Sequence, residues 1–318
     1  MANHERETAL VTGGGGFIGT WVLRDLLAQG IRPIAFDVQF DSARWERILG
    51  SAADQVTFVT GSLLDREKLQ AVCDEHRVSR LIHLAALLTP NCQQDPWTGC
   101  QINVLGSVAL FELARANVGR IRGLSYASSY AVYGPEADDG SLGFSASNNR
   151  PPSFYGAFKL AVDLIAEQYW RHFDIASTGV RPHVVYGPER TQGLTAAPSL
   201  AARAAALGES YNVDYRGCVG YDYVEDVARA FTRTALATPS GANVVDLPSQ
   251  SATSEEFVSM IARVVPESAN RITVSGAAIP SNIPPQPRYI PDLFPDWRPT
   301  TLEEGIRKTV EFYREAHS

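Results

Sequence analysis

Tyr155 and Lys159 stand four residues apart in Phe154-Tyr-Gly-Ala-Phe-Lys159, so any helix containing them presents both on one face. A secondary alcohol yields hydride only if a base takes its hydroxyl proton, and a phenol with a pKa near 10 is mostly protonated at neutral pH. A neighbouring cation favours the phenolate, and Lys159 is placed to be one. Ser129, in the pair Ser128-Ser129, could donate a hydrogen bond to the same substrate oxygen. Singly, each has a plainer reading: Tyr155 and Lys159 as the edge of an amphipathic helix, the serines as strand-end turn chemistry.

What gives the set meaning is the loop that opens the chain, Thr12-Gly-Gly-Gly-Gly-Phe-Ile-Gly19. Gly13, Gly16 and Gly19 have the spacing GxxGxxG between a strand and a helix begun by Phe17 and Ile18. Glycine lets the chain turn tightly and lets a pyrophosphate reach the helix N-terminus where no Cβ intervenes. Asp37 ends the second strand, where a carboxylate can accept both adenosine ribose hydroxyls. It would repel a 2'-phosphate, and Val38-Gln39 adds no cation, so NAD is favoured over NADP; Arg44 is the residue that would undermine this preference. With NAD in place, its positive nicotinamide would join Lys159 in favouring the phenolate.

Short β-rich runs alternating with helical stretches must position these residues. Strands are expected at 9–12, 33–36, 56–59, 80–84, 123–126, 177–180 and 244–247, with helices near 17–29, 66–76, 97–117, 155–173 and 222–237. The nearly continuous apolar strands suit a parallel sheet covered on both faces. The fold class is α/β: a Rossmann-type doubly wound parallel sheet with a smaller C-terminal substrate-binding domain. Residues 1–180, joined by 221–249, form the NAD-binding part, and 181–220 with 250–318 the smaller part. Capping-box starts at Thr253-x-x-Glu256 and Thr301-x-x-Glu304 precede two amphipathic helices, the second with a Leu302, Ile306 and Val310 stripe. The Pro-rich stretch Ile279 to Pro299 reads as a wrapping connection too extended for a helix. Loops at 86–96, 135–153 and 188–220 are expected to shape the substrate pocket.

The 318 residues are 45% hydrophobic with a formal net charge of -7, which suits a globular enzyme and argues against a nucleic-acid or anionic-membrane surface. No apolar run approaches the roughly 20 residues that span a bilayer, and the polar start does not resemble a signal peptide. Cys73, Cys92, Cys100 and Cys218 have neither CxxC spacing nor a dense framework, which reads as reduced thiols in the cytoplasm; no metal is expected.

Taken together, the chain resembles the extended branch of the short-chain dehydrogenase/reductase family, also called the NAD-dependent epimerase/dehydratase family, over essentially its whole length. The glycine loop is similar to its nucleotide loop, Ile82-His-Leu-Ala-Ala86 to its fourth-strand motif, and Ile102-Asn103-Val-Leu-Gly-Ser107 to the helix bearing its tetrad asparagine. Ser128-Ser-Tyr-Ala-Val-Tyr-Gly134 resembles its serine motif, and Arg181-Pro-His-Val-Val-Tyr-Gly-Pro188 its segment past the nicotinamide. The resemblance implies Ser129, Tyr155, Lys159 and Asn103 as the catalytic tetrad, Asn103 shaping its helix and a proton-relay water. It also implies cofactor contacts at Ser62, Leu63, Leu84, Ala85, Ala86, Pro182 and Val184, beside Gly13, Gly16, Phe17, Ile18, Gly19 and Asp37. A homodimer packed through the helices at 97–117 and 155–173 follows from the same resemblance.

Departures from the family narrow the chemistry. Tyr130 and Ala131 stand where dehydratases carry acidic residues, so water elimination and decarboxylation are disfavoured. Val219 replaces the arginine that grips a nucleotide-sugar diphosphate; Arg216 or Arg190 could substitute, or both could be solvated loop charges. Val184 replaces a substrate-contacting asparagine, and Ser62 an adenine-contacting aspartate. Thr89, Tyr130, His183 and Arg190 are candidate substrate residues with Ser129 and Tyr155, although a structural role suits His183 better; His83 reads as a satisfied core histidine. The expected activity is NAD-dependent oxidation of a secondary hydroxyl on a small sugar, sugar acid or polyol. The alternative is a sugar epimerase, possibly of nucleotide sugars, working through a transient ketone, and a remote one is a non-catalytic dinucleotide-binding protein.

Overall fold

The computed structural model describes residues 7–134, 150–279 and 288–317. Twelve strands run through these residues: β1 (Thr8–Thr12), β2 (Arg32–Asp37), β3 (Thr57–Thr60), β4 (Arg80–His83), β5 (Gly123–Ala127), β6 (Ser177–Arg181), β7 (Val184–Tyr186), β8 (Tyr211–Arg216), β9 (Cys218–Tyr223), β10 (Ala242–Asp246), β11 (Gln250–Thr253) and β12 (Ile272–Ala278). Seven of them form one sheet in the order β10-β6-β5-β4-β1-β2-β3, every neighbour parallel. The first six expected strands and the last fall in this sheet, as the continuous apolar runs required.

Side-chain alternation in β1 explains the two-sided cover. Ala9 and Val11 join Trp21, Val22, Leu23 and Leu26 of the helix Phe17–Ala28 and Phe231 of the helix Val224–Ala237 in one core cluster. Leu10 points the other way, into a second cluster with Leu69 of helix Arg66–Glu75, Phe111 of helix Gly106–Ala116 and Val162 of helix Phe154–Phe173. A strand period of two thus serves both faces from one short apolar run. Strand order reverses between β1 and β4, and the glycine loop leaves β1 at that crevice.

The remaining strands make two smaller sheets, β11-β9-β7 and β12-β8. Thr253 closes a complete capping box with Glu256 at the helix Ser254–Val264. Thr301 accepts the Glu304 N–H at the helix Leu302–Glu315, whose Leu302, Ile306 and Val310 are buried as their spacing demands. Two helices lie where none was expected: the short Ser42–Leu49, capped by Asp41 and burying Trp45, Ile48 and Leu49, and the alanine-rich Ala197–Leu207, apolar nearly all round. The stretch 279–299, expected to be extended throughout, contains one helical turn, Ile290–Leu293, where Tyr289 and Asp292 satisfy each other's backbone N–H. Residues 280–287 of that stretch, and 135–149 of the expected pocket loops, lie outside the described residues. The expected continuous helix at 97–117 is instead Pro96–Cys100 and Gly106–Ala116 joined by a π turn, Gln101–Leu105. Such turns re-aim side chains, and this one holds Asn103.

Candidate active site

The nucleotide loop has no space for side chains where a phosphate would pass. Gly13 adopts φ +75°, and a Cβ there would come within 2.6 Å of the Ala85 nitrogen. Gly16 donates to the Gly13 carbonyl at 3.0 Å, and a Cβ on Gly19 would collide with the same carbonyl. Phe17 and Ile18 begin the helix, leaving its first N–H groups toward the crevice. Asp37 is fixed at the loop's edge, accepting from Gly15 N at 3.1 Å and Val38 N at 2.7 Å, while burial raises its pKa. Arg44 reaches the Gly15 carbonyl at 3.3 Å and lies 3.7 Å from Asp41. Ser62 Oγ accepts from Leu64 N, Leu63 is buried against Gly106, and Leu84 donates its N–H to the Thr12 carbonyl. Ala85 and Ala86 continue along the crevice. A path closed to Cβ atoms and a fixed carboxylate at the second strand fit an NAD, its pyrophosphate on the glycines and its ribose on Asp37.

Ser129, Tyr155 and Lys159 come together beside this crevice. Ser153 caps the helix Phe154–Phe173 by accepting the Gly156 N–H at 3.1 Å, which sets Tyr155 in its first turn and Lys159 one turn on. The Ser129 hydroxyl is near enough to the Tyr155 phenol to draw its pKa down, and accepts from Ala131 N at 3.1 Å. Ser128 turns the other way, donating to Asp163 Oδ2 at 2.8 Å. Lys159 Nζ donates to the Ala127 carbonyl at 2.6 Å and lies 5.6 Å from the Tyr155 ring centre. Burial pushes the ammonium down to about 8, against the pull of Asp163 and Cys92.

The expected depression of the phenol does not occur in the protein by itself. Burial outweighs the Ser129 hydrogen bond and raises the Tyr155 pKa, and the protein cation acting on it is Arg190 rather than Lys159. The physical reason is that Lys159 spends its short hydrogen bond on the Ala127 carbonyl, below the ring. A positive nicotinamide is then the cation that remains to favour the phenolate.

Asn103 acts on the backbone of the substrate-side loop. Its Oδ1 accepts from Leu87 N at 2.7 Å and its Nδ2 donates to Leu87 O at 2.9 Å. Beneath it, Ser107 donates to the Asn103 carbonyl at 2.6 Å, and His83 bridges Ser107 at 3.0 Å and Thr12 at 2.7 Å. Full burial pushes His83 down to about 3, so it is neutral and structural, as its strand position suggested.

Of the expected substrate residues, Tyr130 and His183 pack together with ring centres 4.0 Å apart and planes tilted by 42°. Burial lowers His183 to about 4 and raises Tyr130 to about 12, so neither shuttles a proton at neutral pH. Thr89 starts a short helix, Thr89–Gln94, just past the Asn103-held loop, and Pro182 accepts the Tyr130 N–H. Val184 is buried at the start of β7. Arg216 pairs with Glu255 at 3.4 Å on the surface and is half-exposed. Arg190 is turned inward, donating to the Val185 carbonyl and to Thr195 Oγ1 at 2.8 Å.

A buried polar network escaped the sequence reading. Asp163 accepts from Ser128, Tyr126 and Arg181, the last at 2.6 Å, and Arg181 donates to Tyr133 at 2.6 Å, which donates to Asp246 at 2.9 Å. It braces the strand end that carries Ser129. One signal was present: Asp163 stands four residues after Lys159, on the same helical face.

Residues 9–245 match the family described as NAD dependent epimerase/dehydratase family. A UDP-glucose 4-epimerase of Mycolicibacterium smegmatis is 28% identical, over 96% of this chain and 98% of its own length. A UDP-glucose 4-epimerase of Thermus thermophilus, solved in complex with NAD, superposes with a TM-score of 0.75 at 25% identity, covering 97% of this chain and 99% of that one. A UDP-N-acetylglucosamine 4-epimerase of Methanobrevibacter ruminantium reaches a TM-score of 0.80 at 22% identity, over 98% and 99% of the two chains. No described helix is long and apolar enough to cross a membrane.

Proposed function

This chain belongs to the NAD-dependent epimerase/dehydratase family, and from that membership we propose that it is an NAD-dependent epimerase inverting one secondary carbinol of a sugar through a transient ketone. Simple oxidation, which the missing diphosphate arginine had favoured, loses its preference, since relatives matched over nearly their full length include the UDP-glucose 4-epimerases of Mycolicibacterium smegmatis and Thermus thermophilus. The observation that carries the reading is the convergence of Ser129, Tyr155 and Lys159 with no acid at positions 130 and 131. That set can move one proton and steady one oxygen; it has nothing to drive elimination.

Bound along the glycine loop, NAD supplies a reversible hydride acceptor at the crevice. Tyr155 takes the hydroxyl proton as the carbinol is oxidised and returns it when the carbonyl is reduced on its other face. Ser129 donates to the oxygen as it becomes a carbonyl. Lys159, positive below about pH 8, is anchored on the Ala127 carbonyl, while the positive nicotinamide of bound NAD would favour the phenolate before the oxidation; between the two half-reactions Tyr155 holds the proton.

The test incubates purified protein with NAD and a panel of free sugars, sugar acids and nucleotide sugars, following NADH absorbance and product stereochemistry together. Inversion without net NADH is expected. Stoichiometric NADH with an accumulating ketone or lactone would restore the dehydrogenase reading.

A further inference from the structure

We infer that Arg190 is the receptor for an anionic group, a carboxylate or a phosphate, carried by the substrate beside the carbon that reacts at Tyr155. This rests on the epimerase reading for the identity of the reacting carbon, but the anion site itself stands on four observations about the loop after β7.

First, Arg190 is a largely buried guanidinium with no carboxylate partner among the described residues. Its contacts are the Val185 carbonyl and the Thr195 hydroxyl, both neutral. Most other arginines near the core are paired: Arg181 with Asp163, Arg80 with Glu7, Arg47 with Glu189. An inward cation paired only with neutral oxygens carries an uncompensated desolvation cost, which an arriving anion would offset.

Second, the guanidinium sits at the reaction centre. Tyr155 and Arg190 each act electrostatically on the other. A side chain built on Gly193 would meet Arg190 Nη2 at 3.6 Å and Leu88 Cδ1 at 3.7 Å, so the guanidinium and Leu88, next to the Asn103-held Leu87, both border Gly193.

Third, a further donor faces the same point. Tyr215 is buried, its hydroxyl lies near that of Tyr221 and makes no bond within the geometric limits, and Arg190 acts on it. A planar oxyanion accepts from a guanidinium edge and a phenol together, a geometry that a neutral hydroxyl uses less well.

Fourth, the segment is held so that Arg190 points inward. Glu189 has φ +71°, a conformation that costs a non-glycine residue energy. Arg47 grips its carboxylate, Tyr313 Oη lies 2.7 Å from its N–H, and the preceding Pro188 carbonyl accepts from Trp21. Meanwhile the alternative cation, Arg216, is occupied on the surface by Glu255, and Val219 is apolar.

The experiment compares NAD-loaded wild type, Arg190→Gln and Arg190→Lys on UDP-glucuronate, UDP-glucose and free glucuronate, reading kcat and KM separately. It adds calorimetric binding of glucuronate and of UDP to the same three proteins. For a carboxylate, wild type prefers UDP-glucuronate to UDP-glucose. Arg190→Gln then raises KM for UDP-glucuronate by roughly ten- to a hundredfold more than it raises KM for UDP-glucose, and Arg190→Lys recovers part of that difference. For a phosphate, Arg190→Gln weakens both nucleotide sugars and UDP by a similar factor, while glucuronate binding is unaffected. Equal affinity of wild type and Arg190→Gln for all these anions, with NAD affinity intact, overturns the proposal. If no sugar is inverted yet calorimetry shows anion binding that depends on Arg190, the anion site stands and the epimerase reading falls.

Discussion

The guanidinium of Arg47 holds both carboxylate oxygens of Glu189, at 2.9 and 2.7 Å, and so ties the helix Ser42–Leu49 on the nucleotide side to the loop that carries Arg190. Glu189 is buried while Arg47 is partly open to water. Removing the arginine alone therefore strands a buried carboxylate. We expect Arg47→Ala to cost about 1–3 kcal/mol after allowance for solvent at Arg47, read as a drop of several degrees in Tm. A Tm within one degree of wild type would show that the pair is merely decorative.

Tyr155→Phe keeps the ring and removes the proton acceptor. Turnover should fall by about 10²–10⁴-fold, the usual range for lost acid–base catalysis, while NAD affinity by calorimetry stays within a small factor because the glycine loop and Asp37 are untouched. Retained turnover would refute the assigned base.

Burial lowers Lys159 to about 8, below the usual lysine value. Activity that depends on its positive charge should decline as pH rises through about 8. Stability runs in the opposite sense: the folded state sheds this proton before the unfolded state does, so the cost of burying the charge is relieved between about pH 8 and 10.5. Lys159→Arg, charged throughout, should lack the falling limb in a pH–kcat profile even if its overall rate is lower. The same falling limb in both proteins would assign it elsewhere.

Asp222 is buried, accepts the His183 N–H at 2.7 Å, and is pushed up to about 7 by burial, with Asp226 and Asp246 adding to the shift. Its folded pKa exceeds its unfolded one, so its contribution is complete below about pH 3.8 and is lost as pH rises through about 7. Asp222→Asn retains an acceptor without the charge. Thermal melts at pH 5 and pH 8 should show the variant gaining on wild type at the higher pH; a constant difference would dismiss the buried charge as the cause.

Trp97, Leu105, Leu164 and Phe173 are large apolar side chains left exposed on the segments 96–105 and 154–173. We expect these faces to be covered by a second copy. Leu164→Arg should convert a dimer to a monomer in light scattering, and a wild-type monomer at micromolar concentration would remove the expectation altogether.

The sheet was legible in the sequence because a parallel strand buried on both faces carries apolar residues at consecutive positions, as Ala9-Leu-Val11 in β1 and Leu81-Ile82 in β4 do. The nucleotide loop was legible because its constraint is steric, and only glycine meets it. The Ser42–Leu49 helix was not, since its stability comes from the Asp41 cap and from burying Trp45, Ile48 and Leu49 against distant residues. The π turn left no mark, because one extra residue in a helical turn changes phase and not composition. Tyr155 and Lys159 were found by spacing, but the direction of the phenol's pKa was not: it depends on how deeply the ring is buried and on which carbonyl the ammonium reaches.

The side-chain amide of Asn103 grips Leu87 through that residue's main-chain N–H and C=O alone. It therefore places no demand on what side chain position 87 or its neighbours carry. Descendants of this chain could exchange the pocket-facing residues after β4 freely while the loop kept its course, so changes of substrate can accumulate there at little expense in folding, and a library for altered specificity is best built on that loop with Asn103 left alone.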